Sequence, residues 1–244
     1  MGARDDDEEH RGDTSEPHEV RAPERRCSLS GLNPSLVIFD CDGVLVDSEE
    51  LQTRVLLEVA GELGFSLSLP EAVGRFRGAK IASTVRIIEE QLGRPTPEDF
   101  VLTVRARTAR AFDDELRAIE GIHDALESIA TPRCVASSGP VEKIEQALRL
   151  TKLLGHFEGR IFSSYDIGSW KPAPDLFLHA AARMGARASE CVVVEDSVLG
   201  VQAGVAAGMR VLGFASDQRA RELSAAGAEV FASMGDLAAL IRGG

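Results

Sequence analysis

The run Leu36-Val-Ile-Phe39 is continuously apolar and stops abruptly at Asp40. Similar runs recur at Arg133-Cys-Val-Ala136, Cys191-Val-Val-Val194 and Arg210-Val-Leu-Gly213, with a weaker one over 160–163. Apolar runs without alternation suit strands covered on both faces, as in a parallel sheet. Between them, apolar residues return at helical spacing over 140–150, 174–184 and 198–207. The first two open with a proline, whose fixed φ suits an early helical position. Strand and helix in alternation predict an α/β fold built on a doubly wound parallel sheet.

The texture changes over 51–120. Helical spacing holds at 51–63, 81–92 and 98–116, with no strand-like run between. A helical cap over 51–120 is therefore expected directly after the first strand, which leaves a discontinuous α/β core made of 34–50 and 121–244. Upstream, residues 1–33 are rich in Asp, Glu, Arg and Pro and lack an apolar period. They are expected to form a disordered acidic tail, because too little surface can be buried to offset the entropy of ordering. The Arg-Gly-Asp triplet at 11–13 is read as chance.

Charge and cysteine usage narrow the function classes. A formal net charge of -12 opposes nucleic acid and anionic membrane partners, so any anionic substrate must meet local cations. The N-terminus is charged where a secretory signal is apolar, and no run is long enough to span a bilayer, so a cytoplasmic protein is expected. A monomer is the default expectation, with no sequence feature that bears on it. The four cysteines show neither zinc spacing nor a C-x-x-C motif, and Cys134 and Cys191 read as small buried hydrophobes.

In open parallel sheets, ligands bind beyond the carboxyl ends of the strands. The first predicted strand ends in Asp40-Cys41-Asp42-Gly43-Val-Leu-Val-Asp47, the second in Ser137-Ser138-Gly139, and another in Glu195-Asp196-Ser197, while the weak one leads to Trp170-Lys171-Pro172. Carboxylates, hydroxyls and one lysine on a common rim suit phosphoryl transfer. A carboxylate attacking a phosphate ester meets like charge, and two unit charges ~4 Å apart repel by about 4 kcal/mol at an effective dielectric near 20. Mg²⁺ held by carboxylates and a lysine on the phosphoryl oxygens would offset that. Locally, Ser138 or Gly139 is expected to cap the helix after Pro140, and Ser197 the helix after it. Gly43 would permit a tight turn, and Cys41 should point away from both aspartates.

Asp40-x-Asp42-Gly-Val-x-x-Asp47, Ser137, Lys171-Pro172 and Glu195-Asp196, in that order, resemble the four signature motifs of the haloacid dehalogenase superfamily. The resemblance spans nearly all of 36–244, and the helical segment falls where phosphatase and mutase members carry a cap. It implies that Asp40 is the nucleophile and that Asp42 is the acid that protonates the leaving oxygen and then the base that activates water. It implies Mg²⁺ on Asp40, the backbone carbonyl of Asp42 and Asp196, with Glu195 a further ligand or partner. Ser137 and Lys171 would bind phosphoryl oxygens, with Ser138 beside them where the motif often continues with Asn.

Within the superfamily, 115–121, 163–171 and Phe76-Arg77-Gly78-Ala79-Lys80 are similar to the bacterial 6-phosphogluconate phosphatase group, with the β-phosphoglucomutases close by. Those mutases place a histidine where Gln52 stands and an arginine near Lys80-Ile81. The expected function is a Mg²⁺-dependent phosphatase of a small sugar, sugar-acid or polyol phosphate working through an aspartyl-phosphate. Arg77 and Lys80 are expected to read the substrate. The alternatives are a phosphomutase, a haloacid dehalogenase, which would need neither Mg²⁺ nor the acid at Asp42, and a catalytically silent metabolite-binding protein on the same fold.

Overall fold

In a computed structural model, the structure describes residues 33–215 and 219–243. The expected acidic tail, with Cys27 and the Arg-Gly-Asp triplet, lies outside the described residues except for Asn33. Among the described residues, β1 (Leu36–Phe39), β2 (Arg133–Ser137), β3 (Ile161–Ser163), β4 (Cys191–Glu195), β5 (Arg210–Phe214) and β6 (Glu229–Phe231) form one sheet. Its order is β3-β2-β1-β4-β5-β6, and every pairing is parallel. The strand order reverses between β1 and β4, and such a reversal opens a crevice at the carboxyl edge.

The continuous apolar runs follow from two-sided burial. Alternate residues of β1 face opposite ways: Val37 and Phe39 join one core cluster, Leu36 and Ile38 the other. The first cluster is closed by α5 (Ile122–Ser128), α6 (Val141–Leu150) and α11 (Met234–Ile241); the second by α8 (Asp175–Arg183), α9 (Val198–Ala206) and α10 (Arg219–Ala225). A short α7 (Ser164–Ile167) follows β3.

After β1 come α1 (Glu49–Gly61), α2 (Leu69–Phe76), α3 (Ile81–Leu92) and α4 (Phe100–Glu115). They pack around Leu56, Val59, Phe65, Phe76, Ile88, Phe100 and Val104, a cluster separate from both sheet faces. Leu51 at the start of α1 and Phe112 near the end of α4 instead belong to the sheet's own cluster, so both ends of the insert are rooted there. Helix α2 was absent from the periodicity, being only eight residues long, yet it carries a capping box from Ser68 to Glu71 and a proline in its first turn. Pro140 and Pro174 sit one position earlier than expected, at the N-caps of α6 and α8. Neither Ser138 nor Gly139 caps α6: the Gly139 N–H donates to Ser137 Oγ at 3.2 Å, a local turn that leaves the cap position to Pro140. Ser197 caps α9 as expected, accepting from the Gly200 N–H at 3.0 Å. No helix among the described residues is long and apolar enough to cross a membrane.

Candidate active site

The loop after β1 is shaped by Gly43. Its φ of 78° is left-handed, and its N–H donates to the Val46 carbonyl at 2.8 Å. A Cβ there would stand 2.2 Å from Asp196 Oδ2, so only glycine lets the loop lie against that carboxylate. Cys41 turns the other way, into the cluster of Val37 and Phe39. Burial first, then the charges of Asp42 and Asp40, push its thiol well above its ordinary value, which makes it a poor nucleophile.

Register sets the centre of the site. Phe39 pairs with Val194, so Asp40 comes level with Glu195 at the end of β4. Asp40, Glu195 and Asp196 are all buried, and one carboxylate oxygen of each lies within 4.8 Å of the others. Lys171, also buried, donates to Asp40 Oδ1 and Glu195 Oε1, both at 2.6 Å, and to the Ala136 carbonyl at 3.3 Å. The other Glu195 oxygen accepts from the N–H groups of Asp196 and Ser197, each at 2.9 Å, and from the Ser197 hydroxyl at 3.0 Å.

Burial raises the Asp40 carboxyl well above its ordinary value, opposed by Lys171 and reinforced by Glu195 and Asp42. Burial and the charges of Glu49 and Glu195 push Asp196 up to about 7 against the pull of Arg77 and Arg219. Glu49 is pushed to about 7 as well, by burial, with Arg77 opposing and Asp42 adding to the shift. Lys171 is raised: its burial is outweighed by Asp40 and Glu195. The carboxylates thus outweigh the cations, and a buried set of oxygen-only donors fits a hard divalent cation such as Mg²⁺.

Asp42 lies in a second polar cluster. Its Oδ1 accepts from the Ser48 hydroxyl and from Gln52 Nε2, the latter at 2.9 Å, and its Oδ2 accepts from Lys143 Nζ at 2.8 Å. The same Lys143 donates to Gln52 Oε1 at 2.7 Å, which fixes the amide's orientation. Burial alone would raise the Asp42 carboxyl, but the Lys143 charge with the hydrogen bonds of Lys143, Ser48 and Gln52 more than offsets it and holds the group below its ordinary value. Ser48 and Lys143 were not anticipated. Ser48 stands at the N-cap of α1 yet makes no capping bond, because its hydroxyl serves Asp42 instead. The available signal was its place one residue beyond the first motif. Lys143 offered only its position in the first turn of the helix after Ser137.

Above these carboxylates, a cavity of about 450 Å³ opens between the sheet edge and α1–α4. Asp40, Asp42, Ser137, Ser138, Lys171, Glu195 and Asp196 line its floor, and Lys80 and Arg105 lie on the insert side. Its volume falls in the usual range for a small-molecule site. Ser137 is buried and Ser138 half-buried. Arg77, expected to face a substrate, is placed elsewhere: its guanidinium bonds Asp196 Oδ2 and lies 3.8 Å from Glu49 Oε2. Arg219 reaches the same Asp196 oxygen at 3.2 Å.

Comparison with known proteins places this geometry. The haloacid dehalogenase-like hydrolase family matches residues 37–214. The 6-phosphogluconate phosphatase of Escherichia coli K12 is 41% identical over 184 residues, covering 74% of this chain and 82% of that protein. Among solved structures, a haloacid dehalogenase-like protein of Agrobacterium tumefaciens aligns with a TM-score of 0.75 at 37% identity, over 85% of this chain and 97% of its own. A family hydrolase of Deinococcus radiodurans, with bound phosphate and sodium, aligns at 0.70 and 32% identity over 86% and 96%. With the family's match running from β1 to β5 and a relative of this similarity covered over most of its length, the chain belongs to the haloacid dehalogenase-like hydrolases.

Proposed function

We propose that this phosphatase hydrolyses the phosphate monoester of a small sugar, sugar acid or polyol, with Mg²⁺, through an aspartyl-phosphate on Asp40. The observation that carries the reading is the placement of Asp40 between Lys171 and the Glu195–Asp196 pair, at the carboxyl edge beside the strand-order reversal. The similarity to 6-phosphogluconate phosphatase and the phosphate bound by the Deinococcus relative support it.

Asp40, Asp196, Glu195 and the Asp42 backbone carbonyl would hold Mg²⁺. When bound, the ion supplies positive charge against the phosphoryl oxygens, which an anionic nucleophile otherwise repels. Lys171 and Ser137, with Ser138 beside them, bind those oxygens. An Asp40 oxygen attacks phosphorus as the bond to the leaving oxygen breaks, and Asp42 gives that oxygen a proton. Asp42, now a carboxylate, takes a proton from water as the water attacks phosphorus and frees phosphate and Asp40. The Lys143 contact favours the carboxylate form of Asp42, so proton delivery requires entering substrate to loosen that contact. Helices α1–α4 act as the cap over 51–120, excluding bulk water while the acyl-phosphate exists.

The test is release of inorganic phosphate from a panel of phosphate monoesters with Mg²⁺, with EDTA, and with Asp40→Asn. Loss of turnover in the last two is expected. Hydrolysis at the wild-type rate in either would remove the proposal.

A further inference from the structure

Two cations on the insert side of the cavity have no carboxylate partner among the described residues, in a chain whose formal net charge is -12. Lys80, at the N-cap of α3, holds its ammonium 3.4 Å from the centre of the Trp170 ring. Arg105, on α4, lies over the Tyr165 ring with Cζ 5.4 Å from its centre, and donates to the Tyr165 hydroxyl at 2.7 Å. The two rings meet edge to face, their centroids 5.4 Å apart, so both cations are gathered onto one aromatic patch. All four residues line the cavity that has Asp40 on its floor, and Trp170 directly precedes Lys171.

Ammonium, guanidinium and indole are donor-only groups. The indole N–H of Trp170 is buried without a hydrogen-bond partner, so this wall is short of acceptors. An aromatic face holds a cation weakly when solvent is near, whereas a carboxylate offers charge and, to arginine, a matching pair of acceptor oxygens. A ligand carboxylate reaching this patch would therefore draw both cations off their rings.

We propose that Lys80 and Arg105 are specificity-determining residues that bind a carboxylate at the end of the substrate remote from the phosphate. The cavity then takes a phosphorylated sugar acid in preference to the corresponding polyol phosphate, which offers these cations no negative charge at its remote end. The inference rests on the reading of Asp40 as the phosphate end of the site. It moves the expected cationic reader from Arg77, which is committed to Asp196 and Glu49, to Arg105.

The experiment compares the wild type with Lys80→Gln, Arg105→Gln and the double variant. The substrates are a six-carbon sugar acid phosphorylated opposite its carboxylate and the hexitol phosphate that lacks the carboxylate. The ratio of kcat/KM for the acid over the hexitol should favour the acid in the wild type. It should fall roughly tenfold or more with each substitution, mainly through KM, as loss of a charge-assisted hydrogen bond predicts. Arg105→Lys, which keeps the charge, should recover part of the ratio. A ratio that does not change, because both substrates suffer equally or not at all, overturns the inference. Calorimetric binding of the acid to Asp40→Asn protein, with and without the cap substitutions, reads the same contact without turnover. A wild type inactive on every ester would remove the phosphatase reading alone, while equal affinity with and without the two cations would remove this one.

Discussion

Lys143 Nζ lies 2.8 Å from Asp42 Oδ2 although 101 residues separate the two in sequence. This contact keeps a largely buried carboxylate ionised. Replacing Lys143 with Met leaves burial unopposed by its largest counterweight, so the Asp42 carboxyl should titrate at higher pH than in the wild type. Carbon-detected NMR of the Asp42 carboxyl follows it directly, and an unchanged midpoint would show that Ser48 and Gln52 suffice. The pair is part-exposed, so a stability loss of about 1–3 kcal/mol is expected in the same variant.

Gly43→Ala should damage activity out of proportion to stability. The left-handed φ alone costs about 1–2 kcal/mol for a residue with a Cβ. At Gly43 that Cβ would also meet Asp196 Oδ2 at 2.2 Å. Gly64, with φ of 97° and nothing within 4 Å of its would-be Cβ, is the control. Both variants should lose similar unfolding free energy from the backbone, while only Gly43→Ala should lose phosphatase activity and Mg²⁺ dependence. Equal activity in the two would show that the loop and Asp196 move apart at no functional cost.

Asp196 provides a test of the metal through pH. Its carboxyl is raised to about 7, so its contribution to folding is fully present below the ordinary carboxylate pKa and is lost as pH rises through about 7. The Tm of metal-free protein should therefore fall over that window relative to Asp196→Asn, which lacks the titration. Mg²⁺ competes with the proton for this group, so the rise in Tm on adding Mg²⁺ should be larger at pH 8 than at pH 6 and should largely vanish in Asp196→Asn. A Tm insensitive to Mg²⁺ at both pH values would count against a metal at this cluster.

Gln52 bears on hydrolysis versus phosphate return. Its amide donates to Asp42 Oδ1 at 2.9 Å and carries no titratable proton that could gate Asp42. Given β-glucose 1-phosphate with a trace of the 1,6-bisphosphate, the protein should release inorganic phosphate. Efficient formation of glucose 6-phosphate with little free phosphate would make it a mutase on the same core.

The sequence by itself determined the sheet and its reactive edge. A strand buried on both faces must be apolar at every position, so β1, β2, β4 and β5 were visible as unbroken runs, and the residues that stop those runs, Asp40, Ser137, Glu195 and Asp196, had to lie on one rim. Strand β6 was not visible, because three residues of Glu-Val-Phe at the sheet edge carry too little pattern to stand out. What only the tertiary structure decided is which charges meet across sequence. Nothing in the spacing of Ser48, Gln52 and Lys143 places them on Asp42, and nothing in Arg77-Gly-Ala-Lys80 says that the arginine turns to Asp196 while the lysine settles on Trp170. Periodicity reports which face of an element is buried, and that is a local property. The partner of a long polar side chain depends on how two elements dock, and here the docking of α1–α4 over the sheet edge brings them together.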